Sequence, residues 1–319
     1  MSTPPPRVAI AMPVYNGAEY LGEAFDALQA QTEADWVAVV TDNASTDATP
    51  EIVRQRAEAD PRIRYVRNAT NLGANGNFNR SMALAVETGA PFVKWAAHDD
   101  RPRPGYLAAC LAELAVHPEA VGVHTGIQLI DGEGDPYPYS ESRGGFVASA
   151  TDLWRWDPAD LAVYEDADPA RRLARFLRAK SGEWMIYGVF RAEAVARTRP
   201  FAMPGVEDAL CAELLLRGPV RFLPEPLFDH RLHAGSARHL SRDEYIAYET
   251  GEAPSAALLP SIGRAADFAR AIARAPLAPA ERARTAAALA VFALGLRRFK
   301  NLVVPGPDNY LGLDFSRRS

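Results

Sequence analysis

VAIAMPVYNGAEYLGEAFDALQAQ, residues 8–31, carries the pattern that decides the fold. VAIAM (8–12) is an apolar run of strand length, as expected of a strand buried on both faces. In GAEYLGEAFDALQAQ the period changes: Tyr20, Leu21, Ala24, Phe25 and Leu28 recur at helical spacing. The polar turn PVYNG (13–17) separates the two. WVAVVT (36–41) then reads as a second buried strand, and TPEIVRQRAEA as a helix with Thr49 as N-cap and Pro50 at the first helical position. IRYVRN (63–68), NFNRSMALAVET (77–88) and FVKW (92–95) continue as strand, helix and strand. Such alternation predicts an α/β fold, a largely parallel sheet with helices on both faces.

Ligands of such sheets bind beyond the carboxyl ends of the strands. The segments there are PVYNG (13–17), DNASTD (42–47), NATNLGANGN (68–77) and HDD (98–100), all polar and turn-rich. Asn16 is placed to cap the following helix, while Tyr15 either packs or offers its face to a planar base. Asp42, directly after a strand, is placed to accept hydrogen bonds from a base or ribose, and Ser45 and Asp47 to shape the turn. The chain contains neither GxGxxG nor GxxxxGK[ST], so phosphates would need another source of positive charge. In FVKWAAHDDRPRPGYL (92–107), Asp99 and Asp100 are hard oxygen ligands suited to Mg²⁺ or Mn²⁺, unless they merely sit in a solvated turn.

After Leu107 the pattern loosens. YLAACLAELAVH reads as a helix, VGVHTGIQLID as a strand and DGEGDPYPYSESRGG as a long loop. PARRLARFLRAK is helical, SGEWMIYGVFRAEAV a strand running into a helix, and EDALCAELLLRG a helix opening on Glu207 and Asp208, where the dipole favours acids. VRFLPEPLFDHRLH is a strand leading to a basic turn whose Arg231, His233 and Arg238 either face solvent or reach a diphosphate, with His233 able to ligate a metal. Two helices and a polar tail complete the chain.

The 319 residues, 48% hydrophobic and 24% charged, are globular in composition. A net charge of −5 argues against a nucleic-acid partner. Cys110 and Cys211 lie among apolar residues, as buried thiols do, which fits a reducing cytoplasm. MSTPPPRVAI has no apolar signal core, and the longest apolar run, AAALAVFALGL (286–296), is too short to span a bilayer. The final helix, ending LRRFK, is open to an anionic membrane surface, to the domain itself or to a second subunit of a homodimer.

VAIAMPVYNGAEYLGEAFDALQAQT, VVTDNASTDATPEIV, NLGANGNFNRSMALA and HDDRPRPGYL together resemble the family 2 glycosyltransferases of the GT-A fold, over roughly residues 7–235 and most closely the first 115. The resemblance implies a GT-A domain over 1–240, with a nucleotide-sugar half (7–115) and an acceptor half (116–240), and a helical region over 241–319. It implies that Pro13, Tyr15 and Asn16 line a base pocket, that Asp42 contacts the base, and that Asn71 and Gly73 border the nucleotide. Asp99 falls at the last acid of the metal-binding DxD-type motif, with Asp100 beside it. The acid expected two positions earlier is Ala97, with His98 between, so the site leans harder on Asp99 or recruits Asp100 or His98. Glu207 and Asp208 resemble the acidic pair near the acceptor, with Asp208 the general base, and His233 a residue closing over metal and diphosphate. SGEWMIYGVF would border the acceptor cleft, where Trp184 and Tyr187 either stack on a sugar or belong to the core.

The activity so implied is inverting transfer from a nucleotide diphosphate sugar to a hydroxyl of a polysaccharide, glycolipid or natural product, with Mn²⁺ or Mg²⁺. Two other classes stay open. A sugar nucleotidyltransferase would need a Gly-rich, basic first loop, which PVYNGAEY is not. A non-catalytic sugar- or nucleotide-binding relative would lack the base or the metal acid, and both are present.

Overall fold

The computed structural model describes residues 4–293, apart from 150–152, 157–160, 162, 179–181, 202–206, 236–239, 241–243, 245–246, 249 and 252–259. Three βα steps and a fourth strand open it: β1 (Val8–Val14), α1 (Leu21–Gln29), β2 (Trp36–Asp42), α2 (Thr49–Ala59), β3 (Ile63–Arg67), α3 (Gly73–Glu87) and β4 (Phe92–Trp95). Every residue of β1 and β2 is buried, which explains why they read as unbroken apolar runs rather than alternating ones. β1 pairs in parallel with β2 on one side and β4 on the other, and β2 with β3. The register sets Val14 opposite Asp42 and Asp42 opposite Arg67, so the strands end together on one rim.

The rest of the chain extends the same sheet. β5 (Arg101–Pro102), α4 (Tyr106–Val116), β6 (Gly122–Ile130), β10 (Val189–Arg191) and β11 (Val220–Arg231) complete the eight-stranded order β3-β2-β1-β4-β10-β6-β11-β5. β10 is antiparallel to both β4 and β6, and β5 is antiparallel to β11. The segment expected to be a loop carries β7 (Tyr139–Ser140) and the start of β8 (Gly145–Val147), which form a three-stranded sheet with β9 (Leu153–Arg155). The strand-to-helix segment is a 3-10 turn (Gly182–Tyr187), then β10, then α6 (Ala192–Ala196).

Helices α5 (Pro169–Phe176), α7 (Glu207–Arg217), α8 (Pro260–Arg274) and α9 (Pro279–Ala293) stack beside the sheet, with α9 on α5 and α8 on α7. Phe268, Ala271 and Ile272 of α8 are buried, so these C-terminal helices share the main core. Cys110 and Cys211 are buried free thiols, and burial pushes Cys110 up to about 12. No helix among the described residues is long and apolar enough to cross a membrane.

Two helix starts differ from expectation. Thr49 is the first residue of α2 rather than its cap; its N–H donates to Asp47 Oδ1 (3.0 Å), while its Oγ1 accepts from the Gly17 N–H (2.9 Å). α3 begins at Gly73, a turn before the expected start, because Asn71 Oδ1 accepts the Gly73 N–H (2.8 Å) and Gly73 takes a φ of 71°.

Candidate functional site

The rim is built by stitching each strand-end loop to the next. Asn16, at a φ of 49°, donates its N–H to Ser45 Oγ (2.9 Å) and accepts from the Thr46 N–H (2.8 Å). It therefore joins the first loop to the second instead of capping α1, which shows no side-chain cap. Asp47 Oδ2 accepts the Ala18 N–H (3.1 Å), so Ser45 and Asp47 do shape the turn. Pro13 is buried in β1, whereas Tyr15, just past the end of β1, is 40% exposed.

Asp42 stands where expected, at the end of β2, but its side chain is fully covered. Oδ1 accepts the Ser45 N–H (2.8 Å), and Oδ2 accepts the Tyr65 hydroxyl (2.7 Å) and the Arg67 guanidinium. Burial raises its pKa, yet these bonds outweigh burial and hold the carboxyl below its ordinary range. The chain thus presents Arg67, its side chain 41% exposed, in front of Asp42.

A lattice of asparagines fixes the third loop. Asn43 Nδ2 donates to Asn71 Oδ1 (2.7 Å) and to the Gly73 carbonyl (3.1 Å), and Asn43 Oδ1 accepts the Leu72 N–H (2.9 Å). Asn68 Nδ2 bridges Asn43 and Asn77, and Asn77 Nδ2 reaches the Thr41 carbonyl (2.8 Å). Asn71 and Gly73 are thereby held in place, and Asn43, Asn68 and Asn77 are structural supports of this loop that sequence reading missed. The density of asparagine in NATNLGANGN was the available signal.

The fourth loop owes its partners to strand register. β5 sets Arg101 antiparallel to Asp229, which lays Asp99 and Asp100 alongside His230–His233. Asp99 Oδ2 lies 2.9 Å from His233 Nε2, with both side chains partly exposed. Burial acts to raise the Asp99 pKa, but the His233 bond and nearby imidazoles win, holding it well below the usual carboxylate range. His233 in turn packs on the Tyr20 ring, 4.7 Å between centroids.

Two expected assignments are corrected here. Arg231 was expected to reach a diphosphate, yet its side chain is fully buried. Its Nε donates to the Asp99 carbonyl (3.0 Å), one terminal nitrogen to the Gly132 carbonyl (2.7 Å) and the other to Glu23 Oε2 (2.6 Å), with the guanidinium 4.6 Å from the Tyr20 ring. It is a staple that holds the acid loop. Asp100, expected as a metal ligand, is 2% exposed; its Oδ1 accepts the Arg231 N–H (3.0 Å) and lies 2.9 Å from His230 Nδ1. It anchors β11 to the loop. Among the described residues no three His, Cys, Asp or Glu gather to hold a metal, so Asp99, Asp100 and His233 do not form one ligand set. Asp99 and His233 remain a pair.

Behind this loop lies Lys94, wholly buried in β4. Its Nζ donates to the Trp95 carbonyl (2.9 Å) and sits 5.2 Å from the Tyr106 ring and 5.3 Å from that of Phe228. Burial brings its pKa down to about 8, opposed by the nearby Asp100 charge. His98 closes against the first loop: a Cβ on Gly17 would come within 2.5 Å of His98 Cδ2, so only glycine leaves room.

α7 opens on Glu207 and Asp208; Asp208 is half-buried, and the Glu207 side chain lies outside the described residues. The Trp184 side chain and all of Arg238 also lie outside them. Tyr187 is half-buried, stacked on Phe228 at 5.8 Å and 6.3 Å from His230, with its carbonyl accepting the Tyr106 hydroxyl (2.6 Å). It packs behind the acid loop rather than standing free as a sugar platform.

With this geometry in view, comparison with known proteins is informative. The model of Glycosyl transferase family 2 matches residues 9–164, which contain all four rim loops. That stretch is similar to the family 2 glycosyltransferases. "Uncharacterized glycosyltransferase alr2836" of Nostoc sp. (strain PCC 7120) is 29% identical over 139 residues, covering 43% of this chain and 42% of the relative. "Uncharacterized protein Rv1520" of Mycobacterium tuberculosis is 32% identical over 227 residues, covering 70% of this chain and 58% of the relative. The chain thus spans less than two thirds of the length of these curated relatives. Among solved structures, S. aureus TarS in complex with UDP superposes with a TM-score of 0.60 over 95% of this chain and 76% of that one, at 15% identity. The chain and the TarS match share the GT-A fold, a large mostly parallel sheet with helices, which agrees with the expectation from sequence.

Proposed function

We propose that the protein is an inverting glycosyltransferase that moves a sugar from a nucleotide diphosphate donor to an acceptor hydroxyl, in the cytoplasm. The observation that carries this reading is the Asp99–His233 pair, 2.9 Å apart, at the strand-end rim of a stretch similar to the family 2 glycosyltransferases. TarS, which shares the fold, has been solved with UDP and with UDP-GlcNAc, which supports a nucleotide-sugar donor. Residues 7–115 form the donor half in this reading and 116–240 the acceptor half. The first loop and α1, residues 13–30, contain no Lys or Arg to grip a triphosphate, which disfavours a nucleotidyltransferase.

One carboxylate and one imidazole fit a Mn²⁺ or Mg²⁺ ion whose remaining ligands come from substrate phosphates. Such an ion, when bound, neutralises charge developing on the departing diphosphate. Asp99 and His233 would hold it, while Arg231 and Asp100 keep that pair in place from below. Asp208 takes the acceptor's hydroxyl proton as that oxygen forms its bond to the anomeric carbon. The bond from that carbon to the diphosphate oxygen breaks on the opposite face, its electron pair leaving with the nucleoside diphosphate. A single displacement inverts configuration. A general base is worth about 10²- to 10⁴-fold. Tyr15 would stack on the base, with Arg67, Asn71 and Gly73 at its border.

Calorimetric titration with UDP, GDP, ADP and dTDP and their sugars, with Mn²⁺ and with chelator, tests the donor half. Metal-dependent binding of one nucleotide is expected, and Asp99→Asn should abolish the metal dependence. Asp208→Asn should bind donor as the wild type does and lose transfer by about 10²-fold or more. Transfer by Asp208→Asn at the wild-type rate would remove Asp208 from the base role.

A further inference from the structure

Phe201 joins α3 and β4 to the segment that leads toward α7. Its N–H donates to Asn79 Oδ1 (2.7 Å) and its carbonyl accepts from Asn79 Nδ2 (2.6 Å). One side-chain amide thus satisfies both backbone groups of a residue 122 positions away. The Phe201 ring, 7% exposed, meets Phe78 edge-on at 5.9 Å and Trp95 at 6.0 Å. Phe78 and Asn79 belong to α3, whose first residue is Gly73 on the donor rim. Trp95 ends β4, the strand that leads to Asp99.

The same segment is tied on its other side to the helix that begins with the acid pair. Arg199 donates its Nε to Glu213 Oε1 (2.6 Å) and its N–H to Glu213 Oε2 (3.2 Å), and Glu213, on α7, is 2% exposed. Its terminal nitrogens reach the Asp267 carboxylate (3.1 Å) and carbonyl (3.0 Å) on α8. Beyond Phe201 the chain runs on to Glu207 and Asp208 at the start of α7.

We infer that Asn79 is a positioning residue for transfer: by clamping Phe201, two residues from the Arg199 that grips Glu213, it ties α7, the helix that carries Asp208, to α3 and so to the donor rim. The inference rests on the proposed role of Asp208. A base must sit within hydrogen-bond reach of the proton it takes, and a displacement of about 1 Å can cost about 10²-fold in rate. The clamp requires an acceptor and a donor at amide spacing on one short side chain, which asparagine supplies. Because Asn79 makes its bonds to backbone, the identity of the Phe201 ring does not replace it.

The test is Asn79→Leu, which keeps approximate size and removes both bonds. Nucleotide affinity, kcat, the acceptor KM and the melting temperature are measured together in the full chain. The expected result is a fall in kcat of about 10- to 100-fold with nucleotide affinity unchanged, and no comparable further loss when the change is made in Asp208→Asn. A merely structural role would instead lower the nucleotide affinity and kcat together, or add its full effect in the Asp208→Asn background; either outcome overturns the inference, as does an unchanged kcat. Should Asn79→Leu fail to fold, Asn79→Asp, which keeps an acceptor and removes the donor, is read the same way. If Asp208→Asn transfers normally, the base assignment beneath the inference has failed; if Asp208→Asn is impaired and Asn79→Leu is not, the clamp alone is refuted.

Discussion

Arg231→Met separates two roles that give opposite results. As a diphosphate ligand, Arg231 would matter to nucleotide affinity and little to the stability of the free protein. In the structure it is a buried staple whose N–H groups reach the Asp99 and Gly132 carbonyls and the Glu23 carboxylate. Methionine keeps the length of the side chain and removes every donor. Glu23 is 47% exposed at its side chain and rehydrates, so its loss costs little. Each of these part-buried carbonyls left unpaired costs up to about 1–3 kcal/mol, and relief from burying the guanidinium returns part of that. A net loss of about 1–4 kcal/mol remains, which lowers the melting temperature by about 2–6 °C in a chain of this size. Scanning calorimetry of the nucleotide-free protein reads the shift directly. An unchanged melting temperature together with weakened binding of nucleoside diphosphates, but not of nucleosides, would refute the staple and restore Arg231 to the phosphates.

Other groups make predictions of their own. Lys94 titrates near 8 when folded, against 10.5 in the unfolded chain, so between those values the unfolded state holds more protons and stability rises with pH, by about 3 kcal/mol in all. Denaturant midpoints at pH 7 and pH 10 should show this rise in the wild type minus that in Lys94→Met, and equal pH slopes in the two would contradict it. The depressed pKa of Asp42 has the same sign at the acid end: its stabilisation is present above the ordinary carboxylate pKa and fades as pH falls through the folded value. Asp42→Asn should therefore lose about 1–2 kcal/mol at neutral pH and melt with less sensitivity to acid; identical acid profiles would show that Tyr65 and Arg67 do not stabilise the carboxylate.

What the sequence disclosed follows from how each feature is encoded. β1 and β2 are legible because strands buried on both faces read as near-continuous apolar runs, and the helical spacing that sets in at Tyr20 shows that β1 has ended before it. The rim followed, since loops after parallel strands converge by topology. Asp99 and His233 were each legible by residue type, and register brought them together. Arg231 was misread because an arginine among histidines looks solvated, and its partners come from α1, the acid loop and the turn after β6, which no local pattern reveals. Asp100 was misread for the same reason. The start of α3 was hidden because Gly73 and its neighbours resemble a turn until the side chain of Asn71 is known to take the Gly73 N–H. The Tyr187 ring could be a platform or packing on sequence grounds, and Phe228 decides for packing.

The place of β10 in the sheet governs the order in which the chain can fold. β10 bridges β4 and β6, although both strands precede it by many residues. During synthesis β3, β2, β1 and β4 can pair as soon as they emerge, while β6 has no neighbour on its inner edge until Val189–Arg191 leaves the ribosome. Until then β4 presents an open hydrogen-bonding edge, the kind of surface on which chains aggregate. A fragment ending before Val189 keeps that edge permanently, so cutting the chain at residue 164, where the match to the family 2 model ends, would yield a sheet cut through its middle.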